Sequence, residues 1–404
     1  MRQLSRLSGV VPGGYISRTR DFIWPCGHVS GSVGLRAPER RDTSHCFRAG
    51  ERTMTKDDTI AAFDPNAAAQ TDAGLFGLPF TADQADVIIV PVAWEATVSY
   101  GSGASNAPAA IMQASTQVDL HHHDYPDAWK RGLYLDEFPA DMAALARRAH
   151  VLAQRHSAAI GTNDELQSGA RLSRTLAEVN AACARMNKWV YQRCAYWKNR
   201  GKTVGLLGGD HSIPLGYLKL HAEQYGRFGI LHVDAHHDLR VAYEGFTWSH
   251  ASIFYNAVSQ IPAITRLVQV GIRDYCDQEF DYARSNADRI GVFYERDVRK
   301  RLYRGGTWHD VCRDMISKLP KNVHISVDID GLDPGLCPHT GTPVPGGLAF
   351  EELVYLLDEL KGSGRSIIGF DLCEVAPGPT DTNGWDANVG ARVLFHLCAL
   401  AGPT

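Results

Sequence analysis

Apolar runs of strand length alternate along this chain with longer stretches that have apolar residues at helical spacing. Short runs rich in β-branched and aromatic residues predict seven strands, at residues 86–92, 203–207, 228–233, 266–270, 291–294, 323–328 and 366–370. Apolar residues three and four apart predict helices at residues 140–156, 174–197, 350–360 and 388–400. We interpret the Gly-, Ser- and Asn-containing segment 161–173 as a surface loop. The alternation predicts one α/β domain of three layers, a parallel sheet with helices on both faces.

The first 53 residues differ in composition from the rest of the chain. They contain nine Arg, no Lys and four acidic residues, a net charge of +5, and they lack helical or strand periodicity. An Arg-rich segment is typical of an organelle transit peptide, but its four acidic residues weaken that interpretation. We expect residues 1–53 to be a disordered or non-native leader and residues 54–404 to form the folded domain. A genuine leader, an over-long translation start and an expression artefact all stay open.

Composition excludes several classes of function. The 404 residues are 44% hydrophobic and 21% charged, which is typical of a globular protein and not of a disordered one. The net charge of −4 gives no reason to expect nucleic acid or an anionic membrane as a partner. Apolar runs stay far below the ~20 residues of a membrane helix. The nine scattered cysteines, without a CxxC pair, favour reduced thiols in a cytoplasmic protein.

Two of the predicted strands end in histidine and acidic residues. The second strand is followed by GGDHS, in which the glycines permit a tight turn and His211 comes just past the strand. The third strand is followed by DAHHD. In extended backbone Asp234, His236 and Asp238 would point to one side and His237 to the other. Two carboxylates and one imidazole would then share a face.

The sixth predicted strand continues into a third motif, SVDIDGLDP, which contains Asp328, Asp330 and Asp333. Buried carboxylates repel one another unless a cation offsets their charge, so the three motifs together predict a cation site. Four Asp and two His without a thiolate suit divalent ions that bind oxygen and imidazole. Because one ion rarely uses six such ligands, the pattern predicts two ions about 3.5 to 4 Å apart that share carboxylates and a hydroxide.

These three motifs, in this order, resemble the metal-binding motifs of the ureohydrolase family, which includes arginase and agmatinase. The similarity extends to residues 101–111, to GTP at 341–343 and to Glu374. It implies an arginase-like catalytic domain over residues 54–404 that hydrolyses a C–N bond of a linear amidine. It also implies two divalent ions, manganese or nickel, bridged by Asp234 and Asp328. The implied ligands are His211, Asp234, Asp238 and Asp328 for one ion, and Asp234, His236, Asp328 and Asp330 for the other.

The resemblance assigns catalytic roles to three residues. Asp238 would orient the bridging hydroxide, Glu374 would bind the guanidinium group, and His250 would help deliver a proton to the departing nitrogen. Urea and an amine or ammonia would leave. The remaining polar residues around these motifs are expected to hold loops, to pack behind the ligands or to lie at the rim: Asp210, His237, Asp333 and the histidine run 121–123.

The segment after the second motif, LRVAYEGFTWSH, bears on the substrate. It lacks the polar pattern by which arginases bind the α-carboxylate and amino group of arginine. Tyr243, Phe246 and Trp248 could instead wall the pocket and stack on a delocalised cation, or they could simply pack the loop. Together with TrpGlu at 94–95, the segment looks similar to the branch that contains guanidine hydrolases and metformin hydrolase. We therefore expect guanidine, or an N-alkylated guanidine or biguanide such as metformin, as the substrate.

Other functions of the same motifs stay open. An agmatinase or guanidinobutyrase would use the same chemistry on a longer substrate, and a formiminoglutamase would release formamide and need a basic pocket. A non-catalytic partner subunit should have lost ligands, and a deacetylase site would use one zinc and fewer carboxylates. For partners, the resemblance implies a homo-oligomer, trimer or hexamer, or a hetero-oligomer with a paralogous subunit.

Overall fold

The computed structural model describes residues 54–70, 73–98, 100–160, 165–378 and 384–402, which all lie in the second of the two units of the chain, Thr53–Thr404. The predicted leader, residues 1–53, lies outside the described residues. The described strands are β1 (Val87–Val92), β2 (Leu133–Leu135), β3 (Thr203–Gly208), β4 (Phe228–Val233), β5 (Ile264–Val270), β6 (Ile290–Phe293), β7 (Asn322–Asp328) and β8 (Ser366–Cys373). They form one parallel sheet in the order β2-β1-β3-β8-β7-β4-β5-β6.

Helices connect these strands and cover both faces of the sheet. The described helices are α1 (Lys56–Ala62), α2 (Ala107–Ser115), α3 (Ala140–Ile160), α4 (Glu165–Lys198), α5 (Leu215–Tyr225), α6 (Ile253–Gln260), α7 (Asp277–Ser285), α8 (Glu295–Tyr303), α9 (Trp308–Ser317), α10 (Phe350–Gly362) and α11 (Trp385–Leu400). Every residue of β1 and β4 is buried, which requires cover on both sides of the sheet. A second apolar cluster packs α5 and α6 against β4 and β5. The predicted three-layer α/β architecture is confirmed.

The sequence pattern placed most elements correctly and missed two features. All seven predicted strands are present, and β8 extends three residues beyond its predicted end. Strand β2 was not predicted, because its three residues are too few to show the alternation of apolar and polar positions typical of a strand. It pairs with β1 at the edge of the described sheet. The predicted loop at 161–173 is wrong for residues 165–173, which form the first turns of α4. That helix packs along α3, so the tertiary contact outweighs the weak local preference.

The sheet topology brings the three motifs to one edge. The central strands β3, β8, β7 and β4 are consecutive neighbours, and Leu207, Leu372, Val327 and Val233 stand in one row across them. Because parallel strands end at the same edge of a sheet, the residues that follow this row converge there.

Two further sequence expectations concern helices and cysteines. None of the helices in the described part of the chain combines the length and apolar character that a bilayer crossing requires. The seven cysteines within the described ranges are free thiols, and all but Cys276 are buried, in agreement with the expectation of reduced thiols.

Candidate metal centre

Four side chains from the ends of three strands meet around one ring nitrogen. His211 Nδ1 lies 3.1 Å from Asp234 Oδ2, 3.2 Å from Asp328 Oδ2 and 3.3 Å from Asp238 Oδ2. All four residues are at most 5% exposed. They are the residues that the resemblance assigned to the first ion.

A second group adjoins the first through Asp234. His236 Nδ1 lies 3.1 Å from Asp330 Oδ2 and 3.4 Å from Asp234 Oδ1. Asp234 therefore turns one carboxylate oxygen toward each group. Asp328 contacts the first group through Oδ2, while its Oδ1 accepts a 2.9 Å hydrogen bond from the backbone N–H of Asp330.

Turns, and not the extended backbone expected from the sequence, place Asp238 and Asp330 in the site. Asp330 lies in the short 3-10 helix Ile329–Gly331, and Asp238 has a left-handed φ of 54°. The Asp238 carbonyl accepts hydrogen bonds from the backbone N–H groups of Phe254 and Tyr255, which fix this strained conformation. The close approach of GGDHS to the β1 loop requires glycine, because a Cβ at Gly209 would lie 2.0 Å from the Trp94 carbonyl oxygen.

The buried carboxylates require compensation by a cation. Burial, followed by the charge of Asp234, raises the pKa of Asp238 to about 7. Burial and the neighbouring Asp330 and Asp234 raise the pKa of Asp328 well above its ordinary value. Within the described residues, the ion-pair partners of the four carboxylates are imidazoles, without Lys or Arg. Ligand atoms of a divalent ion bound at about 2.1 Å lie roughly 3 Å apart. The distances from the imidazole nitrogen to the carboxylate oxygens in both donor groups, 3.1 to 3.4 Å, fit such ions.

His232, which the sequence did not single out, contacts Asp234, the carboxylate that faces both donor groups. His232, on β4, places Nε2 2.8 Å from Asp234 Oδ2. The Gln269 amide donates to His232 Nδ1 at 3.0 Å and to the His237 carbonyl at 2.8 Å, which assigns the imidazole proton to Nε2. His232 therefore donates a hydrogen bond to Asp234 and orients it. The available signal was its spacing of two from Asp234 within a buried strand.

Ser326, Asp371 and His324, which the sequence also did not single out, form a hydrogen-bonded chain on the Nε2 side of the His211 ring. Ser326 Oγ lies 2.9 Å from His211 Nε2 and donates to Asp371 Oδ1 at 2.7 Å. His324 Nε2 lies 2.6 Å from the other Asp371 oxygen. Because His211 Nδ1 faces the carboxylates, this chain fixes its ring orientation and leaves Nδ1 directed at the donor group.

Glu374 follows β8 and lies beside the first donor group. Its Oε1 accepts a 2.9 Å hydrogen bond from the His211 backbone N–H, while a Cβ at Gly341 would come within 3.7 Å of Oε2. Its φ is 62°, held by its N–H bond to the Gly209 carbonyl and by the Thr340 hydroxyl on its own carbonyl. Burial, then the charges of Asp328 and Asp210, raise the Glu374 pKa well above its ordinary value. A cation bound at Glu374 would relieve this penalty.

The histidine and aromatic residues of the segment after Asp238 occupy different environments. Burial, followed by the neighbouring His236 and His211, lowers the pKa of His250 to about 4. The Tyr243 ring lies 6.2 Å from the His250 ring, between centroids. Phe246 is 0% exposed, and its ring packs 5.1 Å from that of His156. The expectation that Phe246 walls a pocket does not fit this buried position.

Other residues singled out in the sequence lie outside the donor groups. Trp248 packs under the Lys219 ammonium, 5.7 Å from its ring centroid. His237 turns away from the carboxylates, with Nδ1 2.7 Å from Gln269 Oε1. Asp333 accepts a backbone hydrogen bond in its own turn, and Asp210 accepts one from Ser212 in its own loop and one from Ala96 in the segment after β1. The histidine run 121–123 lines a groove of about 730 Å³ with α10 and α11, and that groove contains none of the site residues.

Comparison with known proteins agrees with this geometry. The sequence model described as the arginase family matches residues 85–399. The N(1)-aminopropylagmatine ureohydrolase of Thermus thermophilus is 30% identical over 324 residues, covering 79% of this chain and 92% of that protein. The guanidinobutyrase of Pseudomonas aeruginosa is 34% identical over 206 residues, covering 48% and 60%.

A solved structure supports the fold independently. The proclavaminate amidinohydrolase of Streptomyces clavuligerus superposes with a TM-score of 0.61 at 23% identity, covering 83% of this chain and 98% of that chain. Family match, relatives and fold agree with one another and with the clustered donor residues. The chain therefore belongs to the arginase family and is a ureohydrolase, an enzyme that hydrolyses amidino C–N bonds of guanidino compounds.

Proposed function

We propose that this chain hydrolyses a compact guanidine compound, either guanidine or an N-alkylated guanidine or biguanide such as metformin, to urea and ammonia or an amine. The observation that carries the hydrolytic part is the pair of donor groups that meet at Asp234. Two divalent ions, manganese or nickel, would be bound by these groups, with Asp234 and Asp328 as bridges. The proposed ligands are His211, Asp234, Asp238 and Asp328 for one ion, and Asp234, His236, Asp328 and Asp330 for the other.

The bound ions would supply Lewis-acid chemistry, because they lower the pKa of water and so provide hydroxide at neutral pH. Glu374 would bind the guanidinium group. A side chain at Gly341 would lie in van der Waals contact with Glu374 Oε2, so the glycine keeps the approach to this oxygen free of a side chain. A buried carboxylate in this position forms charge-assisted hydrogen bonds with guanidinium N–H groups and holds the substrate in one orientation.

His250 and Asp238 would handle protons. The low pKa of His250 keeps its imidazole neutral near pH 7, so it can accept a proton and pass it to the departing nitrogen. A bound cation would offset the burial that otherwise raises the pKa of Asp238, so its carboxylate would be ionised and would accept a hydrogen bond from the attacking water and orient it.

The charge near His250 supports a substrate with a single positive charge. Arg240 is 37% exposed, and its guanidinium lies 5.2 Å from the ring centroid of Tyr243, which in turn neighbours His250. Arg240 Nε forms a 3.6 Å ion pair with Glu279 Oε2, which offsets part of its charge. The remaining positive charge of Arg240 would repel a second cation on the substrate, such as the amine of agmatine. The Tyr243 ring would stack on the guanidine group.

The same arginine favours a second candidate substrate. A guanidino compound with an acidic tail, such as 4-guanidinobutyrate, would be attracted to Arg240 and not repelled. A formiminoglutamase-like activity would also use a positive charge at this position, on a dicarboxylate. A non-catalytic role receives no support, because all six proposed ligands are present and clustered.

An activity screen on the full, metal-reconstituted chain tests this proposal. Guanidine, metformin, agmatine, 4-guanidinobutyrate, arginine and formiminoglutamate are supplied separately, and urea, formamide and acetate are measured. We expect urea from guanidine or metformin, with Arg240→Gln raising the relative rate on agmatine. Glu374→Gln should lower kcat/KM by about 10- to 100-fold with the metal retained. A clear preference for arginine or agmatine in the wild type refutes the compact substrate, and formamide release supports the formimino alternative.

We further propose a homo-oligomer, trimer or hexamer, or an assembly with a paralogous subunit, acting in the cytoplasm. Light scattering on the purified chain measures the assembly directly. Partial activity that rises when a paralogue is added would favour the mixed assembly.

A further inference from the structure

The segment that carries His250 forms a closed loop, residues 239–252, which we call the substrate loop. Its base is joined by the hydrogen bond from the Arg240 N–H to the Ala251 carbonyl at 3.0 Å. At its tip, Tyr243 and Phe246 exchange two backbone hydrogen bonds, of 3.2 and 2.8 Å. The two residues between them, Glu244 and Gly245, have left-handed φ values of 51° and 84°. The tip is therefore a tight turn in which one residue, Glu244, is strained.

This tip rests on α3 and α4, far along the chain from the metal motifs. The Asn180 side chain on α4 binds the tip twice, accepting from the Thr247 N–H at 2.9 Å and donating to the Gly245 carbonyl at 3.4 Å. The Glu244 carbonyl lies 3.0 Å from His156 Nε2 on α3. The neighbouring hydroxyl of Ser157 donates to the Glu244 carboxylate. The two helices thus satisfy both backbone and side-chain groups of the tip.

The apolar anchor of the loop points to the same helices. Phe246 is 0% exposed against His156, and a Cβ at Gly245 would lie 2.9 Å from Leu176 Cδ2 on α4. The loop is fixed by Asp238 at its base and by the helix pair at its tip. Between them the Thr247 carbonyl accepts hydrogen bonds from Asn256 Nδ2 at 2.7 Å and from Ser252 Oγ at 3.2 Å. His250 lies on the arm of the loop that returns from the tip to the base.

We propose that the α3–α4 helix pair positions His250 by holding the tip of the substrate loop, with Asn180 as the positioning residue. The part that concerns His250 rests on the proposed function, while the anchoring of the loop does not. Loss of the Asn180 contacts frees the tip to leave its strained turn, and His250 then loses its fixed distance to the donor groups. Asn180 contacts neither substrate nor metal ligands in this arrangement.

The test compares Asn180→Ala with Glu178→Ala in the full, metal-reconstituted protein. Both residues lie on α4, but among the described residues the Glu178 side chain pairs with the exposed Arg148 on α3 and does not contact the loop. Alanine suits a helix interior, so both variants should fold. In Asn180→Ala we expect amide hydrogen exchange in residues 243–250 to accelerate about tenfold or more, as for the loss of two hydrogen bonds. Metal content should stay unchanged and Tm should fall by no more than a few degrees, and Glu178→Ala should leave exchange unaltered.

Kinetics separate positioning from a general structural role. We expect Asn180→Ala to lower kcat by about 10- to 100-fold with a smaller change in KM, and Asn180→Asp, which keeps the acceptor for Thr247, to retain more activity. In a His250→Asn background the added Asn180→Ala change should have little further effect. Unchanged exchange in the loop, or an equal loss of kcat in the His250→Asn background, overturns the proposal. If every guanidino compound proves inert, the proposed function fails, and the exchange data alone decide whether the helix pair anchors the loop.

Discussion

The donor groups and the substrate loop lie next to each other but are held in place by different means. The donor side chains lie at or just beyond the ends of three strands, β3, β4 and β7, and their positions are set by the register of the sheet. The substrate loop, residues 239–252, is held by a tight turn and by contacts with α3 and α4. The donor contacts can be predicted from the sequence, because the sheet register fixes where each strand ends and therefore where the residues that follow it lie. The contacts of the substrate loop depend on side chains distant in sequence.

The largest expected effect lies in the donor groups. We expect Asp234→Asn to release bound metal and to lower activity by more than about 100-fold, because Asp234 faces both donor groups. Changes to residues that merely hydrogen-bond a metal ligand already lower metal affinity or activity by about 10- to 100-fold. Asp333→Asn is the matched control, since the Asp333 side chain accepts a 2.8 Å hydrogen bond from the Gly335 N–H of its own turn and belongs to neither donor group. Metal analysis, circular dichroism and urea release are measured on both. An active Asp234→Asn protein with full metal would contradict the bridging assignment.

The second prediction separates packing from substrate contact within the loop. Phe246→Ala should destabilise the protein by about 3–5 kcal/mol, because it empties a fully buried site. Tyr243→Ala should change stability little but lower kcat/KM about 2- to 30-fold, the range for loss of one cation–π contact. Denaturant unfolding and steady-state kinetics check both variants. The reverse pattern would place the pocket wall at Phe246 and remove Tyr243 from it.

The donor residues could be predicted from the sequence, but the backbone turns and the buried partners that orient them could not. Asp328 is the last residue of β7, and His211, Asp234 and Glu374 stand one to three residues after β3, β4 and β8. The apolar runs of these strands are plain in the sequence, so the convergence of the four residues follows from the parallel sheet. The sequence could not show that Asp238 uses a left-handed turn, because a spacing of two fits both turn and strand. His232 and Asp371 lie inside buried strands, where polar residues are recognisable as partners only once the neighbouring strand is known.

The same limit applies to the substrate loop and its supports. The aromatic residues Tyr243, Phe246 and Trp248 give no sequence signal that separates a core ring from a pocket ring. Their partners His156 and Lys219 lie on other helices, and the sequence does not indicate which face of each helix meets the loop.

A third prediction concerns the metal-free protein. The folded-state pKa of Asp238 is raised to about 7, whereas an unfolded Asp titrates near about 3.9. The folded state therefore binds more protons between about pH 4 and pH 7, and this group lowers stability as the pH rises through that window. Asp238→Asn should raise the Tm of the chelated protein more at pH 7.5 than at pH 5. Equal shifts at both pH values would show that Asp238 stays ionised, and scans with metal present provide the control.

The smallest effect is expected outside the folded domain. Deletion of residues 1–53 should leave kcat/KM and Tm nearly unchanged, because that segment has no apolar periodicity with which to pack on the domain. Thermal unfolding and kinetics of the shortened chain test this. A drop of several degrees in Tm would show that the segment packs.

The metal content of the active protein is the most direct test of the two-ion centre. The purified chain is stripped with chelator, reconstituted with manganese or nickel, freed of excess ion and analysed for metal, and urea release from guanidine and metformin is followed during the titration. We predict two ions per chain, with activity that rises until both sites are filled. Full activity at fewer than about 1.5 ions per chain would contradict the two-ion centre.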